Sequence, residues 1–288
     1  MGFKRVLQRS WPLTPLRYSG GKGVFAPFVK SVIEANHLQG GHYLEPFAGG
    51  AGVALNLLFN RYVSDIHIND ADLAIYHFWQ STVNDTDNFL AKLQQTPISI
   101  EEWEKQKIIL KEPENHSWLE HGFSAFYLNR TNRSGILKAG VIGGKAQSGE
   151  YKLNARFNKE RLTKQILRIA EYAQHIHVYN FDAFELLNQV DRILPQPSLT
   201  YLDPPYYVKG QGLYRNFYNH DDHVKICQAL ENIQIPWIVS YDNCLEIKSI
   251  YQNYRQDEYF LSYCAYNKTK GSEIMIYGHN VQIPKQSL

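Results

Sequence analysis

The segment Tyr201-Leu-Asp-Pro-Pro-Tyr-Tyr207 contains the groups best suited to chemistry. The run before it is rich in strand-forming residues and predicts a short buried strand, which the prolines end because they cannot continue a ladder. Pro204 biases Asp203 away from the helical region, and Pro205 stiffens the bend. The Asp203 carboxylate, the Pro204 carbonyl and the Tyr206 ring would then meet at a strand end and suit a planar ring with an exocyclic amine. A proline-rich turn without function is the alternative.

A glycine turn earlier in the chain could bring the backbone close to a ligand. Phe47-Ala-Gly-Gly-Ala-Gly52 lies between a predicted strand that ends at Glu45 and a predicted helix over 53–59. Its glycines allow close approach of a ligand and tight packing of the helix on the strand. A second predicted strand, 63–70, ends in Asp70. An acid at this position accepts hydrogen bonds from ribose hydroxyls in nucleoside-binding α/β folds, and it could also cap the next helix.

A second glycine-rich turn, Ser19-Gly-Gly-Lys-Gly23, precedes a segment over 24–38 whose apolar residues repeat with a helical period. A glycine turn at a helix N-terminus can hold an anion or a carboxylate, and Lys22 would add a positive charge. The spacing differs from that of a P-loop, so it gives no support for nucleoside triphosphate binding.

The order of predicted elements indicates an α/β protein whose strand–helix alternation is interrupted once. Between 72 and 172, four helical patterns lead into a glycine-rich, basic loop over 130–149, and the alternation then resumes. We therefore expect a Rossmann-like mixed sheet with an inserted, mostly helical domain at 72–172. The catalytic domain would be formed by 1–71 and 173–288. Two late strands complete the predicted sheet, near 259–266 and 272–277.

The net charge of +2 conceals a strongly basic block. Residues 124–170 contain ten Lys and Arg against Glu150 and Glu160, which is a local charge of +8. Such a block is the electrostatic footprint expected for a polyanionic partner such as nucleic acid. A solvated helical face accounts for 159–168 but does not account for the glycine-rich loop.

The composition, with 44% hydrophobic and 20% charged residues, is typical of a globular protein. The three cysteines, Cys227, Cys244 and Cys264, show no CxxC spacing. Neither a disulfide framework nor a zinc site is therefore expected, and a reducing cytoplasm is the predicted location. The sequence has no apolar run long enough to span a bilayer, and its first residues lack the apolar core of a signal peptide, so no membrane partner is expected.

Four motifs occur together and in order: Arg17-Tyr-Ser-Gly-Gly-Lys22, Glu45-Pro-Phe-Ala-Gly-Gly-Ala-Gly52, Asn129-Arg130 followed by Gly135, and Asp203-Pro-Pro-Tyr206. With these motifs nearly the whole chain resembles the Dam-type DNA adenine methyltransferases, amino-methyltransferases of the alpha group. Their joint occurrence is far more specific than any one of them. The resemblance implies the fold of the S-adenosylmethionine-dependent methyltransferases. It also implies methyl transfer from that cofactor to N6 of an adenine flipped out of double-stranded DNA.

The resemblance also implies roles for individual residues. Catalysis would involve Asp203, Pro204, Pro205 and Tyr206, with Asp203 and the Pro204 carbonyl accepting the amino hydrogens and Tyr206 stacking on the base. The implied cofactor contacts are Tyr18, Lys22, Glu45, Pro46, Phe47, Gly49, Gly50, Asp70, Asp182 and Asp203. The implied DNA contacts are Arg130, Asn132, Arg133, Ser134, Lys138 and Lys145. A sulfonium methyl group is already electrophilic, so no metal is needed and catalysis is placement with electrostatic support.

The sequence departs from the best-known members of that family, which are specific for GATC. Those proteins have an aromatic residue a few positions after the Asn-Arg pair, where Asn132, Arg133 and Ser134 stand here. An arginine that they use further along the hairpin corresponds to Lys138. These differences argue against GATC as the target sequence, although not against adenine as the target base.

Other functions remain compatible with these residues. Methylation of cytosine N4 needs almost the same pocket, and a catalytically silent DNA-binding protein could keep the same fold. An RNA substrate is less expected because the chain has no separate RNA-binding module. Glutamine methylation is disfavoured because that family's motif begins with Asn where this chain has Asp203. Monomeric action suits the modification of one strand at a time, and a restriction-modification role would imply a cognate restriction enzyme as partner.

Overall fold

The computed structural model of the protein describes residues 13–17, 22–208, 218–262 and 270–284, which are built around a seven-stranded sheet. The strands are β1 (His42–Glu45), β2 (Asp65–Asn69), β3 (Ile176–Tyr179), β4 (Ser198–Leu202), β5 (Trp237–Asp242), β6 (Arg255–Ser262) and β7 (Lys270–Tyr277). Their order is β3-β2-β1-β4-β5-β7-β6, and every neighbouring pair is parallel except the two that include β7. This arrangement confirms the predicted Rossmann-like mixed sheet.

Helices connect most of the strands. In the described residues they are α1 (Ala26–Ala35), α2 (Gly52–Phe59), α3 (Leu73–Asn84), α4 (Thr86–Gln95), α5 (Ile100–Lys111), α6 (Trp118–Thr131), α7 (Lys159–Ala170), α8 (Ala183–Leu187), α9 (Val190–Ile193), α10 (His220–Glu231) and α11 (Leu245–Ile250). The side chains of Ser99, Ser117 and Asn158 cap α5, α6 and α7 by accepting hydrogen bonds from backbone N–H groups. Short polar residues at the helix starts therefore define where these helices begin.

Alternate residues of the central strands pack on opposite faces of the sheet. Tyr43 and Tyr201 belong to a hydrophobic cluster with α1 to α7. Their chain neighbours Leu44 and Leu202 belong to a second cluster with α8 to α11. Every residue of β4 and β5 is buried because helices cover both faces of the sheet there. The protein therefore has three layers, with the sheet in the middle.

Four acidic residues lie at one edge of this sheet. The strands β1, β2, β4 and β5 are parallel to one another, so their carboxyl ends meet at the same edge. Glu45 and Asp242 end β1 and β5, while Asp70 and Asp203 follow β2 and β4 directly. Open α/β sheets bind ligands in the crevice at this edge.

The connection from β2 to β3 contains α3 to α7. These helices pack closely, since a Cβ added at Gly122 in α6 would lie 2.4 Å from the His77 carbonyl oxygen in α3. They also share one hydrophobic cluster with the sheet, and Trp79 Nε1 donates a hydrogen bond to the Gly49 carbonyl over 2.8 Å. The connection from β2 to β3 therefore shares a hydrophobic core with the sheet. A separate inserted domain at 72–172 stays a prediction.

One predicted strand is displaced along the chain. β6 begins at Arg255 instead of near 259, and the predicted residues 263–266 lie outside the described part of the chain. β6 pairs with β7 along its whole length, so cross-strand pairing rather than the local pattern sets its start. None of the described helices combines the length and apolar character needed to span a bilayer.

Candidate active site

Asp203 is held at the end of β4 by two buried hydroxyl groups. Ser240 Oγ donates a hydrogen bond to Asp203 Oδ1 over 2.8 Å. The same Ser240 Oγ lies 2.9 Å from the hydroxyl oxygen of Tyr201. If Tyr201 donates to Ser240, the single Ser240 proton is directed at Asp203, and this orients the carboxylate. Asp203 itself is half-buried, so a ligand can reach it.

The residues after Asp203 are fixed by a second acid. Pro204 and Pro205 are buried and Tyr206 is half-buried. The carboxylate of Asp242, at the end of β5, accepts hydrogen bonds from the backbone N–H groups of Tyr207 and Val208, each over 2.9 Å. Asp242 is buried, and hydrogen bonds to a charged acceptor are among the stronger ones. The neighbouring strand therefore anchors the far end of the Asp-Pro-Pro-Tyr segment.

The glycine turn after β1 is tightly closed. Gly49 and Ala51 both have φ of +46°, in the left-handed region that favours glycine. Gly49 N–H donates to Asp70 Oδ2 over 3.0 Å, and the Gly49 carbonyl accepts from Trp79. β1 and β4 are adjacent parallel strands, with Leu44 opposite Thr200. The glycine turn and the Asp-Pro-Pro-Tyr segment therefore leave neighbouring strands at the same edge.

Asn69 joins the ends of three strands. Its Nδ2 donates to the carbonyls of Pro46 and Phe181 over 2.9 and 3.1 Å, and its Oδ1 accepts from Phe181 N–H over 2.8 Å. The side chain is buried and all of these bonds are internal. Asn69 therefore fixes the relative positions of the segments that follow β1, β2 and β3.

Asp70 is half-buried beside the glycine turn. Its Oδ1 accepts a hydrogen bond from Asp72 N–H over 2.9 Å. Burial, with a further contribution from the negative charge of Asp72, raises the pKa of Asp70 to about 7. The residue that caps α3 is Asp72, whose Oδ1 accepts from Ala74 N–H, so the helix-capping alternative for Asp70 is wrong.

Glu45 is buried at the end of β1, and its Oε1 is hydrogen-bonded within the protein. That oxygen accepts hydrogen bonds from Ala54 N–H over 2.9 Å and from the Tyr43 hydroxyl over 3.1 Å. Burial raises the pKa of Glu45 to about 8 despite these two hydrogen bonds, and the charge of Asp203 contributes in the same direction. Glu45 therefore ties β1 to the first turn of α2.

An aromatic pair lies beside the turn. The rings of Phe47 and Tyr218 meet edge to face with their centroids 5.7 Å apart. Burial, together with the charges of Asp182, Asp222 and Asp70, raises the pKa of Tyr218. Asp182 is exposed and caps α8 by accepting from Phe184 N–H over 2.9 Å. Phe47, Tyr218 and the two acids Asp70 and Asp182 therefore belong to one neighbourhood.

The structure describes only part of the motif Arg17-Tyr-Ser-Gly-Gly-Lys22. Tyr18 lies outside the described residues, and of Lys22 the structure describes the backbone, which opens a 3-10 turn over Lys22–Phe25. Gly23 in that turn packs against the glycine turn, since a Cβ added at Gly52 would lie 3.4 Å from Gly23 N. The two glycine-bearing segments are therefore in backbone contact.

The basic loop after α6 presents several predicted DNA contacts at the surface. Arg133, Ser134, Lys138 and Lys145 are all exposed. Lys145 Nζ forms an ion pair with Glu104 in α5 at 2.8 Å, between two exposed side chains. An isolated β-bridge between Asn132 and Val141 closes the base of the loop.

Arg130 and Asn132 have a different environment from the other predicted DNA contacts. Both side chains are buried. Asn132 Oδ1 accepts from Trp103 Nε1 over 2.7 Å, and its Nδ2 donates to the carbonyls of Ile136 and Leu137, each over 3.0 Å. Arg130 donates to backbone carbonyls. The burial of these two side chains does not fit direct contact with DNA, and their bonds instead fix the loop from beneath.

The sequence patterns did not identify three residues that fix the site, Ser240, Asp242 and Asn69. Asp242 carries the same signal as Asp203, an acid at the end of a buried strand. Asn69 and Ser240 carry another usable signal, a polar residue within an otherwise apolar strand, because a buried polar group needs a hydrogen-bonding partner. The partners themselves come from other strands and cannot be identified from local sequence.

The family model of the D12 class N6 adenine-specific DNA methyltransferases matches residues 18–263. A comparison with curated proteins gave no match. Among solved structures, the chain is similar to the rRNA methyltransferase AviRa from Streptomyces viridochromogenes (11% identity, TM-score 0.38, 97% of this chain and 98% of that chain). It is also similar to a conserved hypothetical protein of Streptococcus pyogenes (11% identity, TM-score 0.34, 85% of this chain and 89% of that chain). The family match includes the glycine turn, the basic loop and the Asp-Pro-Pro-Tyr segment, and the chain belongs to the D12 class of DNA methyltransferases, which methylate adenine at N6.

Proposed function

We propose that this DNA adenine methyltransferase uses S-adenosylmethionine as its methyl donor and binds it at the glycine turn after β1. The hydrogen bond from Ser240 to Asp203, at the strand end next to that turn, carries the proposal. It puts an oriented carboxylate beside a backbone cradle at the edge where such sheets hold ligands. When bound, the cofactor would supply an electrophilic methyl group.

The residues at the turn fit the chemistry of this cofactor. Asp70 could accept hydrogen bonds from ribose hydroxyls, and the Phe47 ring could stack on the adenine of the cofactor. Gly49 and Gly50 are buried in the turn, and glycines at such positions would let a ligand approach the backbone closely. Tyr18, Lys22, Pro46 and Asp182 remain proposed contacts from the family resemblance. Glu45 would act indirectly, because its Oε1 is used within the protein.

Asp203 and the Pro204 carbonyl would accept the two amino hydrogens of an adenine turned out of the helix. This would direct the nitrogen lone pair away from the ring plane, and the Asp203 carboxylate would stabilise the positive charge that develops on nitrogen. Tyr206 would stack on the base, while Pro205 keeps the segment rigid. Ser240 would hold the carboxylate in the accepting orientation.

The basic loop would bind the duplex. Arg133, Ser134 and Lys138 are all exposed in the same loop and could contact base edges or phosphates. Lys145 could exchange its exposed partner Glu104 for a phosphate, because an ion pair between exposed side chains contributes little stability. Arg130 and Asn132 would support the loop. The helical connection 72–172 would then be the target-recognition region.

Expression in a host without DNA methylation tests the proposal. Genomic DNA would be digested to nucleosides and analysed by mass spectrometry, and the sites would be mapped by sequencing that detects modified bases. We expect N6-methyladenine at one short sequence other than GATC. The purified enzyme should need S-adenosylmethionine, and Asp203→Ala should abolish transfer while Asp221→Ala, an exposed acid in α10, should retain it. N4-methylcytosine, or no modified base, would contradict the proposal.

We further propose that the enzyme acts as a monomer in the cytoplasm. A single active site modifies one strand of a duplex at a time, so a second copy is not needed for the chemistry. Light scattering on the purified enzyme with and without duplex tests this, and a stable dimer would contradict it. A role in restriction-modification would require that a cognate endonuclease be blocked by the methylation mapped above.

A further inference from the structure

A buried guanidinium joins two segments beneath the basic loop. Arg130, near the end of α6, donates from Nε to the Arg156 carbonyl over 2.7 Å, and a second Arg130 nitrogen donates to the same oxygen. A third donates to the Pro15 carbonyl over 3.3 Å. Arg130 therefore holds the chain before Arg17 against the turn that ends at Arg156. Arg17 reaches the same region, because its guanidinium donates to the Asn132 carbonyl over 3.1 Å.

Positive charge accumulates at this junction. Burial and, to a smaller extent, the nearby positive charges of Arg17, Arg161 and Arg156 together lower the pKa of Arg130 to about 9. Burial and the charge of Arg156 also lower the pKa of Arg17. Like charges held this close cost free energy unless an anion is present.

Among the described residues, three arginines of this junction, Arg17, Arg130 and Arg156, take part in no ion pair. The segments outside the described residues contain neither Asp nor Glu, so they cannot supply a side-chain carboxylate. The charges of Arg17 and Arg156 therefore have no carboxylate partner among the described residues, and an anionic ligand could neutralise them.

The surroundings fit a backbone phosphate of DNA. Arg156 is exposed, and its guanidinium carbon lies 5.9 Å from the ring centroid of Tyr151, which is also exposed. Arg161 lies in the first turn of α7, a twelve-residue helix whose N-terminal dipole favours an anion. The exposed end of the basic loop, with Arg133, follows α6 directly. An open, rigid and positive surface beside the recognition loop suits a phosphodiester, which carries one charge and needs no enclosed pocket.

We propose that Arg17, Arg156 and Arg161 bind one phosphate of the DNA backbone, and that Arg130 fixes them from beneath. This inference rests on the proposed function, because it assumes that the basic loop approaches the duplex. The contact would set the register of the enzyme on DNA and would carry no sequence information itself.

Arg156→Gln tests the site with little risk to folding, because the Arg130 bonds use the Arg156 carbonyl and not its side chain. Arg192→Gln is the matched control, since Arg192 is exposed on α9, which precedes the opposite end of β4. Duplex affinity would be measured by fluorescence anisotropy over a range of salt concentrations. We expect Arg156→Gln to weaken target and non-target duplexes alike, by roughly tenfold at moderate salt. The slope of log Kd against log salt should fall by about 0.9.

Replacing single DNA phosphates by an uncharged group would show which phosphate the arginines contact. Duplexes carrying a single methylphosphonate would be scanned along both strands around the target adenine. One position should weaken binding of the wild type and have no further effect on Arg156→Gln. Arg156→Lys should restore part of the salt dependence of Kd that Arg156→Gln loses, because lysine keeps the positive charge. Equal affinities and slopes for Arg156→Gln and Arg192→Gln would overturn the site, as would a loss limited to the target sequence. A wild type that binds DNA with this signature but never methylates it would instead contradict the proposed function.

Discussion

The side chain of Asn129 holds the backbone of Arg17 by two hydrogen bonds. Arg17 N–H donates to Asn129 Oδ1 over 2.7 Å, and Asn129 Nδ2 donates to the Arg17 carbonyl over 2.8 Å. The same Nδ2 donates to the Gly135 carbonyl over 2.8 Å. Arg17 directly precedes the segment proposed to bind the cofactor, and Gly135 lies in the loop proposed to bind DNA. One buried amide therefore joins the two.

Asn129→Ala should weaken the binding of both ligands. The change leaves an N–H and two carbonyls without a protein partner, which costs about 1–3 kcal/mol per buried group that water cannot reach. We expect cofactor affinity and duplex affinity both to fall several-fold. The change that each ligand causes in the affinity for the other should also become smaller. Calorimetry for the cofactor and anisotropy for the duplex, each with and without the other ligand, measure this. Asn232→Ala, an exposed change at the end of α10, is the control. Unaltered affinities in Asn129→Ala would refute the coupling.

Ser240→Ala should slow methyl transfer more than it affects binding. The substitution removes the donor to Asp203 and leaves the Tyr201 hydroxyl without its partner. A hydrogen bond to a charged group contributes about 1.5–3 kcal/mol, so kcat should fall by roughly 10- to 100-fold. KM for the duplex should change little. Tyr201→Phe should have a smaller effect of the same kind, and Ser249→Ala, which is exposed on α11, should have none. An increase in KM at constant kcat would mean that Ser240 acts in binding instead.

Asp242→Asn should loosen the segment after the two prolines. An asparagine offers one acceptor where the carboxylate offers two, so the N–H of Tyr207 or of Val208 loses its bond. Amide hydrogen exchange at these two residues should become roughly tenfold faster, while exchange within β5 should change little. Asp257→Asn, at an acid in β6, serves as the comparison. Unchanged exchange at residues 207 and 208 would show that other contacts fix this segment.

The titration of Glu45 should make the folded protein less stable as the pH rises. Its pKa is about 8 in the folded protein against 4.5 for the ordinary side chain, so the folded state keeps a proton that the unfolded chain releases. Between about pH 4.5 and 8 the folded state therefore binds more protons, and this contribution to stability is lost as pH rises. Glu45→Gln keeps an acceptor for Ala54 and does not titrate. Its stability relative to the wild type should rise by a few kcal/mol across that window and stay level above it.

Urea denaturation of the wild type and Glu45→Gln at several pH values measures this difference. Other groups titrate in the same range, but their effects are common to the two proteins and cancel in the comparison. A difference that does not depend on pH would mean that Glu45 is ionised at neutral pH in the folded protein.

Gly135→Ala should be far more harmful than Gly144→Ala. Both glycines have positive φ, +76° and +74°, so both substitutions carry the strain of about 1–2 kcal/mol expected for a side chain in the left-handed region. A Cβ at Gly135 would also lie 2.5 Å from the Arg17 carbonyl oxygen, whereas one at Gly144 would have nothing within 4 Å. Thermal denaturation should give a clearly lower Tm for Gly135→Ala, with weaker duplex binding. Equal Tm values would show that the Arg17 backbone can move away freely.

The local sequence determined which elements form and which groups end them. Asp203 and its prolines mark a strand end because proline cannot donate to a ladder, and the glycine turn marks a strand–helix junction. Period-two burial and helix caps are likewise local properties, and the helical segments predicted over 24–38 and 53–59 lie close to the observed α1 and α2. β6 was displaced because its start depends on pairing with β7.

Tertiary structure decided which polar groups meet. Ser240 reaches Asp203 because β4 and β5 are neighbours, and Asp242 reaches the Tyr207 backbone for the same reason. Residues as distant as Arg17 and Asn129 are joined by packing that no local pattern encodes. Burial also separated Arg130 and Asn132 from the exposed basic residues around them, although all belong to one basic block in the sequence. Residue type and spacing set the local backbone, whereas hydrogen-bond partners and burial depend on contacts between distant segments.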